Sequence, residues 1–376
     1  MRLAGMVLRN TLRRRWRSAL TVIGVSIAIA TAVTLLGLAA GFEKAFLETY
    51  QRRGVDLIVV RAGAAQRLSS TLPESLGDRI ATLPGVQRVV PGLIDVVAYE
   101  DHDLYGVLVH GWKLDRLMYR DFRIVDGRLL NENDQRAVIV GKVLARHLGL
   151  KVGDTFDVVE DEPFQVVGVY ESFSVYENGG MVMPLASLQK LMAWKGQVTG
   201  FAILADDALS PGDIGRLRTQ IESLAPGISA MDAKDHVETT TQIQLTRLLA
   251  WSTSAIALVI GAVGMLNTML MAVLERTREI GILRAVGWRK TRVMRMILLE
   301  SVLLSGFGAI LGIAAAVLNM RVLSRLPATS GFVAGGIAPH VLVEGLLLAM
   351  LVGLLGGLYP AWRGMRLPPL AALRYD

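Results

Sequence analysis

Four long apolar runs and one long mixed stretch set the plan of the 376-residue chain. Ser18 to Gly41 contains no charged residue. At about 1.5 Å per helical residue it is long enough to cross the roughly 30 Å hydrocarbon layer of a bilayer. Three further runs follow late in the chain, giving predicted spans at 18–41, 248–274, 296–318 and 341–362, with Glu300 and Glu344 the only charged residues inside the last three. Residues 42–247 break instead into short apolar runs separated by turn residues, as in a water-soluble α+β domain. Val55 to Val60 reads as a strand, Leu76, Ile80 and Leu83 as one helix face stopped by Pro84-Gly85, and Val86 to Val90 as the next strand. The same order returns at Phe201 to Leu204, at Ile214, Leu217, Ile221 and Leu224, and at Pro226-Gly227 before Ile228. Two such strand-helix-strand units, one at each end of the domain, predict a split βαβ arrangement. The middle, about 121–200, alternates short strands (Ala137 to Val140, Phe156 to Val159, Phe164 to Tyr170) with turns and a helix at Lys142 to Leu148, and reads as an inserted β-rich subdomain.

Composition agrees with a membrane protein: 52% of residues are hydrophobic and only 19% charged, with a mean hydropathy of +0.44. The formal net charge of +7 does not point to nucleic acid, because many basic residues flank the apolar runs, where they orient helices. Arg2, Arg9, Arg13, Arg14, Arg15 and Arg17 precede the first run without an acidic residue, and Leu8, Leu12 and Trp16 recur at helical spacing, so 1–17 reads as an amphipathic helix on the cytoplasmic membrane surface. A cleaved signal peptide is the competing reading of this start, but the apolar run is too long for one. Seven basic residues lie in 275–295, and Arg363, Arg366 and Arg374 follow the last span, against Arg321 and Arg325 in the loop 319–340. The positive-inside rule then puts both termini, the 363–376 tail and the 275–295 turn in the cytoplasm, and 42–247 and 319–340 outside. Cysteine is absent, which removes disulfides, thiolate metal sites and cysteine nucleophiles.

Candidate chemistry is sparse. Glu100-Asp101-His102-Asp103 lacks histidines at ligand spacing and reads as a hairpin tip, so no metal site is expected. Gly141-Lys142 fails as a phosphate loop at both ends, since position 136 is Arg and position 143 is Val. No catalytic cluster and no cofactor site emerge, and no polar lane crosses the spans. Asn267 reads as an interhelical hydrogen-bonding residue. The pairs Gly37/Gly41, Gly308/Gly312 and Gly353/Gly357, with Gly261 and Gly264, are candidates for close helix packing or a dimer face. The one densely charged stretch between apolar runs is Glu275-Arg276-Thr277-Arg278-Glu279-Ile280-Gly281-Ile282-Leu283-Arg284-Ala285-Val286-Gly287. It reads as a short amphipathic helix with Ile280, Leu283 and Gly287 on one face and Arg278, Arg284 and Arg289 elsewhere.

These motifs resemble the MacB/FtsX-like permeases of ABC transporters over nearly the whole chain. The resemblance rests on Gly261 to Met269 running into Glu275 to Gly281, and on Leu299-Glu300-Ser301. It also rests on Gly356-Gly357 with Pro360-Ala361, Arg363, Leu367, Pro369 and Ala372-Leu373-Arg374, and on Asp126-Gly127-Arg128 in the outer domain. It implies an α-helical membrane protein of four transmembrane helices with a split βαβ, porter-like outer domain, placed in a bacterial inner membrane with both termini cytoplasmic. It implies a dimer, with a second copy or a related permease, clasped by ABC ATPase subunits. Glu275, Arg276, Arg278, Glu279, Ile280, Gly281, Arg284 and Gly287 would then form the coupling helix. ATP hydrolysis is expected on a separate subunit, since no Gly-x-x-x-x-Gly-Lys-Ser/Thr motif is present, and the chain itself is expected not to be an enzyme. The implied function is efflux or export by mechanotransmission, with room for a periplasmic adaptor and an outer-membrane channel. The alternatives are a regulator of an extracytoplasmic hydrolase and a lipoprotein-releasing permease.

Overall fold

The computed structural model describes residues 15–63, 71–102, 104–206, 208–325 and 336–367. The surface helix expected over 1–17 therefore lies outside the described residues except for its last three, and most of the 363–376 tail lies outside them too. The chain divides into two compact units: an outer unit of 42–245 with 323–325, and a helical unit holding 15–41, 246–322 and 336–367.

Helix α1, Arg15–Arg52, does not stop where charge returns at Glu43. Residues 42–52 contain good helix formers and neither Gly nor Pro, and the helix ends only at Gly54, whose φ of 69° is left-handed. The outer unit is built on a ten-stranded sheet. Its principal strands and helices in chain order are β1 (Leu57–Arg61), α2 (Ser75–Ala81), β2 (Val86–Tyr99), β3 (Leu104–Trp112), β4 (Arg123–Gly127), β5 (Ala137–Gly141), α3 (Lys142–Leu148), β6 (Thr155–Val159), β7 (Glu162–Glu171), β8 (Met181–Pro184), α4 (Leu185–Leu191), β9 (Gly200–Ala205), α5 (Pro211–Ser223), β10 (Ile228–Asp232) and α6 (Ala233–Thr239). The strand order is β10-β1-β9-β2-β3-β8-β5-β7-β4, with β6 paired to β7.

The first four strands of that order are two interlocked split βαβ units. β1 and β2, joined by α2, are both antiparallel to β9 between them, and β9 and β10, joined by α5, are both antiparallel to β1. The Pro-Gly stops work as stops because Gly85 and Gly227 take φ of 90° and 74°, which side-chain-bearing residues rarely adopt. The opening of α5 is fixed by a capping box between Ser210 and Asp213.

The inserted segment differs from its expected form in one respect. It is not set off at residue 121 but begins in the β2–β3 hairpin, and its strands extend the same sheet: β3 pairs with β8 in parallel, β8 with β5, and β5 with β7 in parallel. β2 is fourteen residues long, so its far half has an open edge for β3 to extend. Short strand signals show where strands are but not which edge they join. One core, including Leu57, Ile80, Leu93, Val138, Met181 and Phe201, runs under both parts of the sheet.

Among the described residues four helices are long and apolar enough to cross a membrane: α1, α7 (Thr241–Glu275), α9 (Lys290–Leu323) and α10 (Pro339–Met365). The protein is a multi-pass membrane protein. Between α7 and α9 lies the short helix α8, Thr277–Ala285. The expected loop up to residue 295 is shorter than anticipated, because Lys290, Arg292 and Arg295 sit on the first turns of α9. Charge kept these residues out of the predicted span, but it does not oppose helix formation in water.

Candidate coupling interface

Helix α8 is held to its own bundle by its apolar side. Thr277, Ile280 and Gly281 are buried, and Leu283 packs against the same helical core. Ile280 of α8, Val273 of α7 and Ile297 of α9 converge on Gly364 of α10, where a side chain would collide with Ile297. Two ion pairs strap the entry to α8. The Arg17 guanidinium forks onto Glu275, donating from Nη1 to Oε2 at 2.7 Å and from Nη2 to Oε1 at 2.5 Å. Arg276 Nη1 donates to both oxygens of Glu300 at 3.0 Å, and both side chains are largely buried. The exit is fixed by Arg284 Nη1 donating to the Trp288 carbonyl at 3.0 Å, and by Arg292 stacked over the Trp288 ring at 4.3 Å.

The opposite side of α8 faces outward. Arg278 and Glu279 are exposed, and Ile282 and Val286 are 46% and 77% exposed. Residues 278, 282 and 286 stand four apart, on one face. The result is an apolar strip, bordered by a cation and an anion, on an element whose other side is anchored.

The candidate coupling residues therefore separate. Glu275, Arg276, Ile280 and Gly281 are engaged within the bundle, as is the Arg284 side chain, while Arg278 and Glu279 face out. Gly287 does not share a helical face with Ile280: it lies beyond the helix end at φ 99° and is exposed. The apolar face assigned from sequence is thus the inward one, and Ile282 and Val286 were missed. Their four-residue spacing with Arg278 was available as a signal, but Ile280 and Leu283 offered an equally good stripe. The Arg276–Glu300 pair was not anticipated: in the sequence Glu300 stands out only as a charge inside a predicted span, and a charge there needs a counter-charge.

The glycines separate in the same way. Gly308 and Gly312 of α9 admit α1, with Val25 and the Ser26 carbonyl where side chains would be. Gly353 and Gly357 of α10 face Ser305 and Ser301 of α9, Gly261 faces Ala28, and Gly37 faces Ile337. Gly41 and Gly264 have no neighbour within 4 Å of a notional Cβ, and Asn267 is exposed. The expected interhelical hydrogen bond of Asn267 is not made among the described residues, because α7 presents that face away from its own bundle. Close contacts not anticipated are Gly356 against Met265 and Gly345 against Val33.

Among the described residues no group of three or more His, Asp or Glu is placed to hold a metal ion. Glu100–His102 forms a turn of 3-10 helix at the tip of the β2–β3 hairpin, and Asp103 lies outside the described residues.

Two stretches of the chain match known protein families. Residues 18–223 match the MacB-like periplasmic core domain and residues 251–369 the FtsX-like permease C-terminal domain. The chain is 26% identical to the uncharacterized ABC transporter permease MJ1507 of Methanocaldococcus jannaschii, over 97% of this chain and 96% of that one. It is 26% identical to the macrolide export ATP-binding/permease protein MacB of Agrobacterium fabrum, over 96% of this chain and 59% of the relative. It is 29% identical to the pyoverdine export ATP-binding/permease protein PvdT of Pseudomonas aeruginosa, over 96% of this chain and 56% of the relative. The chain thus spans somewhat more than half the length of the two ATP-binding/permease relatives.

Proposed function

Because the chain belongs to the family of ABC transporter permeases with a MacB-like periplasmic core domain and an FtsX-like C-terminal domain, we propose that it is the permease of an exporter driven by an ATPase domain outside this sequence. That ATPase docks on the outward face of α8. The reading is carried by one observation: α8 is locked to its bundle by Ile280 and by the Arg17–Glu275 and Arg276–Glu300 pairs, yet leaves Ile282 and Val286 uncovered between Arg278 and Glu279. An anchored helix with a free apolar strip is suited to receive a push and pass it to the helices on either side of it.

The lack of a phosphate-binding loop in this sequence supports hydrolysis by the partner. The basic-residue asymmetry supports both termini and α8 on the cytoplasmic side of an inner membrane, with the outer unit outside. In the spans, Glu300 is paired with Arg276 near the start of the apolar run 296–318, which fits mechanical transmission to the outer unit better than a hydrophilic conduit. The exposed strip of α7 holding Gly264 and Asn267 suits contact with a second permease copy.

The test is co-purification with the cognate ATPase, followed by stimulated ATPase activity. Val286→Glu, which puts a charge into the apolar strip, is expected to lower association at least tenfold, in line with the roughly 2 kcal/mol or more of an interface anchor. Glu279→Lys is expected to uncouple while the protein remains folded. Wild-type assembly and stimulation in both variants would remove α8 from the coupling role.

A further inference from the structure

The outer unit contains a cavity of about 130 Å³ that the permease reading does not use. It is bounded by the end of α1 and the following Arg53, by β1, β2, β3 and β9, and by α6. Its walls are largely apolar and aromatic, with Phe46, Trp112, Tyr176 and Phe201 contributing rings. One end is polar. His110 is 7% exposed, and neither ring nitrogen has a hydrogen-bond partner among the described residues. Beside it Arg53, 3% exposed, lies 2.7 Å from Glu177 Oε1, and Glu177 is 1% exposed. That contact is an ion pair by distance but is not aligned as a hydrogen bond, so Arg53 Nε and Nη2 and Glu177 Oε1 retain hydrogen-bonding capacity. The second carboxylate oxygen of Glu177 accepts from Ser172 at 2.5 Å.

Buried polar atoms are normally satisfied, and those left over mark places where something else supplies the bond. Here they belong to three residues that line a space of about 130 Å³. An engineered cavity of about 150 Å³ lined by apolar side chains holds one benzene ring, so this one suits a single small ring. The Arg53–Glu177 pair is neutral as a unit, so the cavity does not call for a charged ligand. Burial and then the Arg53 charge hold His110 neutral, its pKa lowered to about 3. A neutral imidazole offers one donor and one acceptor.

We propose that this cavity is a binding site for a small uncharged ring compound bearing one hydroxyl or carbonyl group, with the ring against Phe46, Trp112 and Tyr176 and the polar group on His110 and Arg53. The site stands on the outer unit alone and does not rest on the permease reading. Two of its walls come from residues 46–53 and from His236 and Thr240, which lead out of α1 and into α7.

The experiment uses the full chain in lipid nanodiscs with 4-fluorophenol and fluorobenzene as probes, read by fluorine NMR against protein-free discs. 4-Fluorophenol is expected to bind saturably and to be favoured over fluorobenzene by roughly fivefold, the worth of one net hydrogen bond of about 1 kcal/mol. His110→Leu should abolish that preference, and His110→Gln should restore most of it. Thr240→Trp, at the partly exposed rim, should exclude both probes, and it decides the matter if His110→Leu does not fold. Partition into lipid without saturation would overturn the site. Saturable binding that neither His110→Leu nor Thr240→Trp alters would place the probe elsewhere and overturn it equally.

Discussion

The two units of this chain are packed by opposite means. The outer unit fills its interior with large side chains: Leu57, Ile80, Leu93, Ile139, Tyr170, Met181 and Phe201 are almost entirely buried. The helical unit buries small ones, with Gly353 and Gly357 facing Ser305 and Ser301, Gly308 and Gly312 against α1, and both serines turned back onto their own helix carbonyls. The difference follows from the solvent. In water an apolar side chain gains about 25 cal/mol for each Å² it hides. Between helices already in lipid that gain is absent, and association depends on close approach and dispersion. One unit should therefore be sensitive to losing volume and the other to gaining it.

The largest effects test that contrast. Phe201→Ala should destabilise the outer unit by about 3–5 kcal/mol, read as a lower denaturant midpoint of its tryptophan signal. Gly77 lies against the Phe201 ring, where a side chain would already collide, so the site has little room to rearrange. In the helical unit the comparable loss comes from charge rather than volume. Glu300→Leu leaves Arg276 buried without its carboxylate and should cost about 3–5 kcal/mol, measured by detergent titration in mixed micelles. Exposed Arg17–Glu275 should be worth less, about 0–1 kcal/mol, so Glu275→Gln is the matched control.

Enlargement comes next. Gly357→Leu would drive a side chain into Ser301 and should cost about 1–3 kcal/mol or more, whereas Ser301→Ala should be nearly silent, because its hydroxyl bonds only to its own helix. Equal tolerance of Gly357→Leu and Ser301→Ala would contradict the small-residue account. Val286→Glu should leave stability within about 0.5 kcal/mol while removing the partner, which separates docking from folding.

The smallest effect is a titration. The folded pKa of His110 lies below its ordinary 6.5, at about 3, so the unfolded chain takes up the proton first as pH falls. Stability from this residue is present above about pH 6.5 and is lost progressively toward pH 3. The ring resonances of His110 should thus stay those of a neutral imidazole at pH 5, with Arg53, Glu177, His236, Tyr50 and Tyr176 as the other charged or titratable groups on the cavity wall. Titration near 6.5 would mean that the cavity is wet and open.

The pattern of residues along the chain determined much by itself. Span number and position follow from the cost of charge in lipid, a one-dimensional property. So do the two split βαβ units, because alternating strand and helix periods with Pro-Gly stops are local signals. The position of a charged turn at 275–287 between two spans was also legible, since charge between two spans has nowhere else to go. What only the tertiary structure decided is partnership. The inserted strands joined the same sheet through β3, which pairs with the far half of β2, rather than forming a separate sheet. Ile280 turned in and Ile282 turned out, and Gly264 was left facing outward while Gly308 was covered. Glu300 found Arg276 across twenty-four residues, and Arg53 found Glu177 beside His110 across a far longer separation. A periodic pattern states that a face exists, but which face is buried depends on neighbours that fold in from elsewhere in the chain.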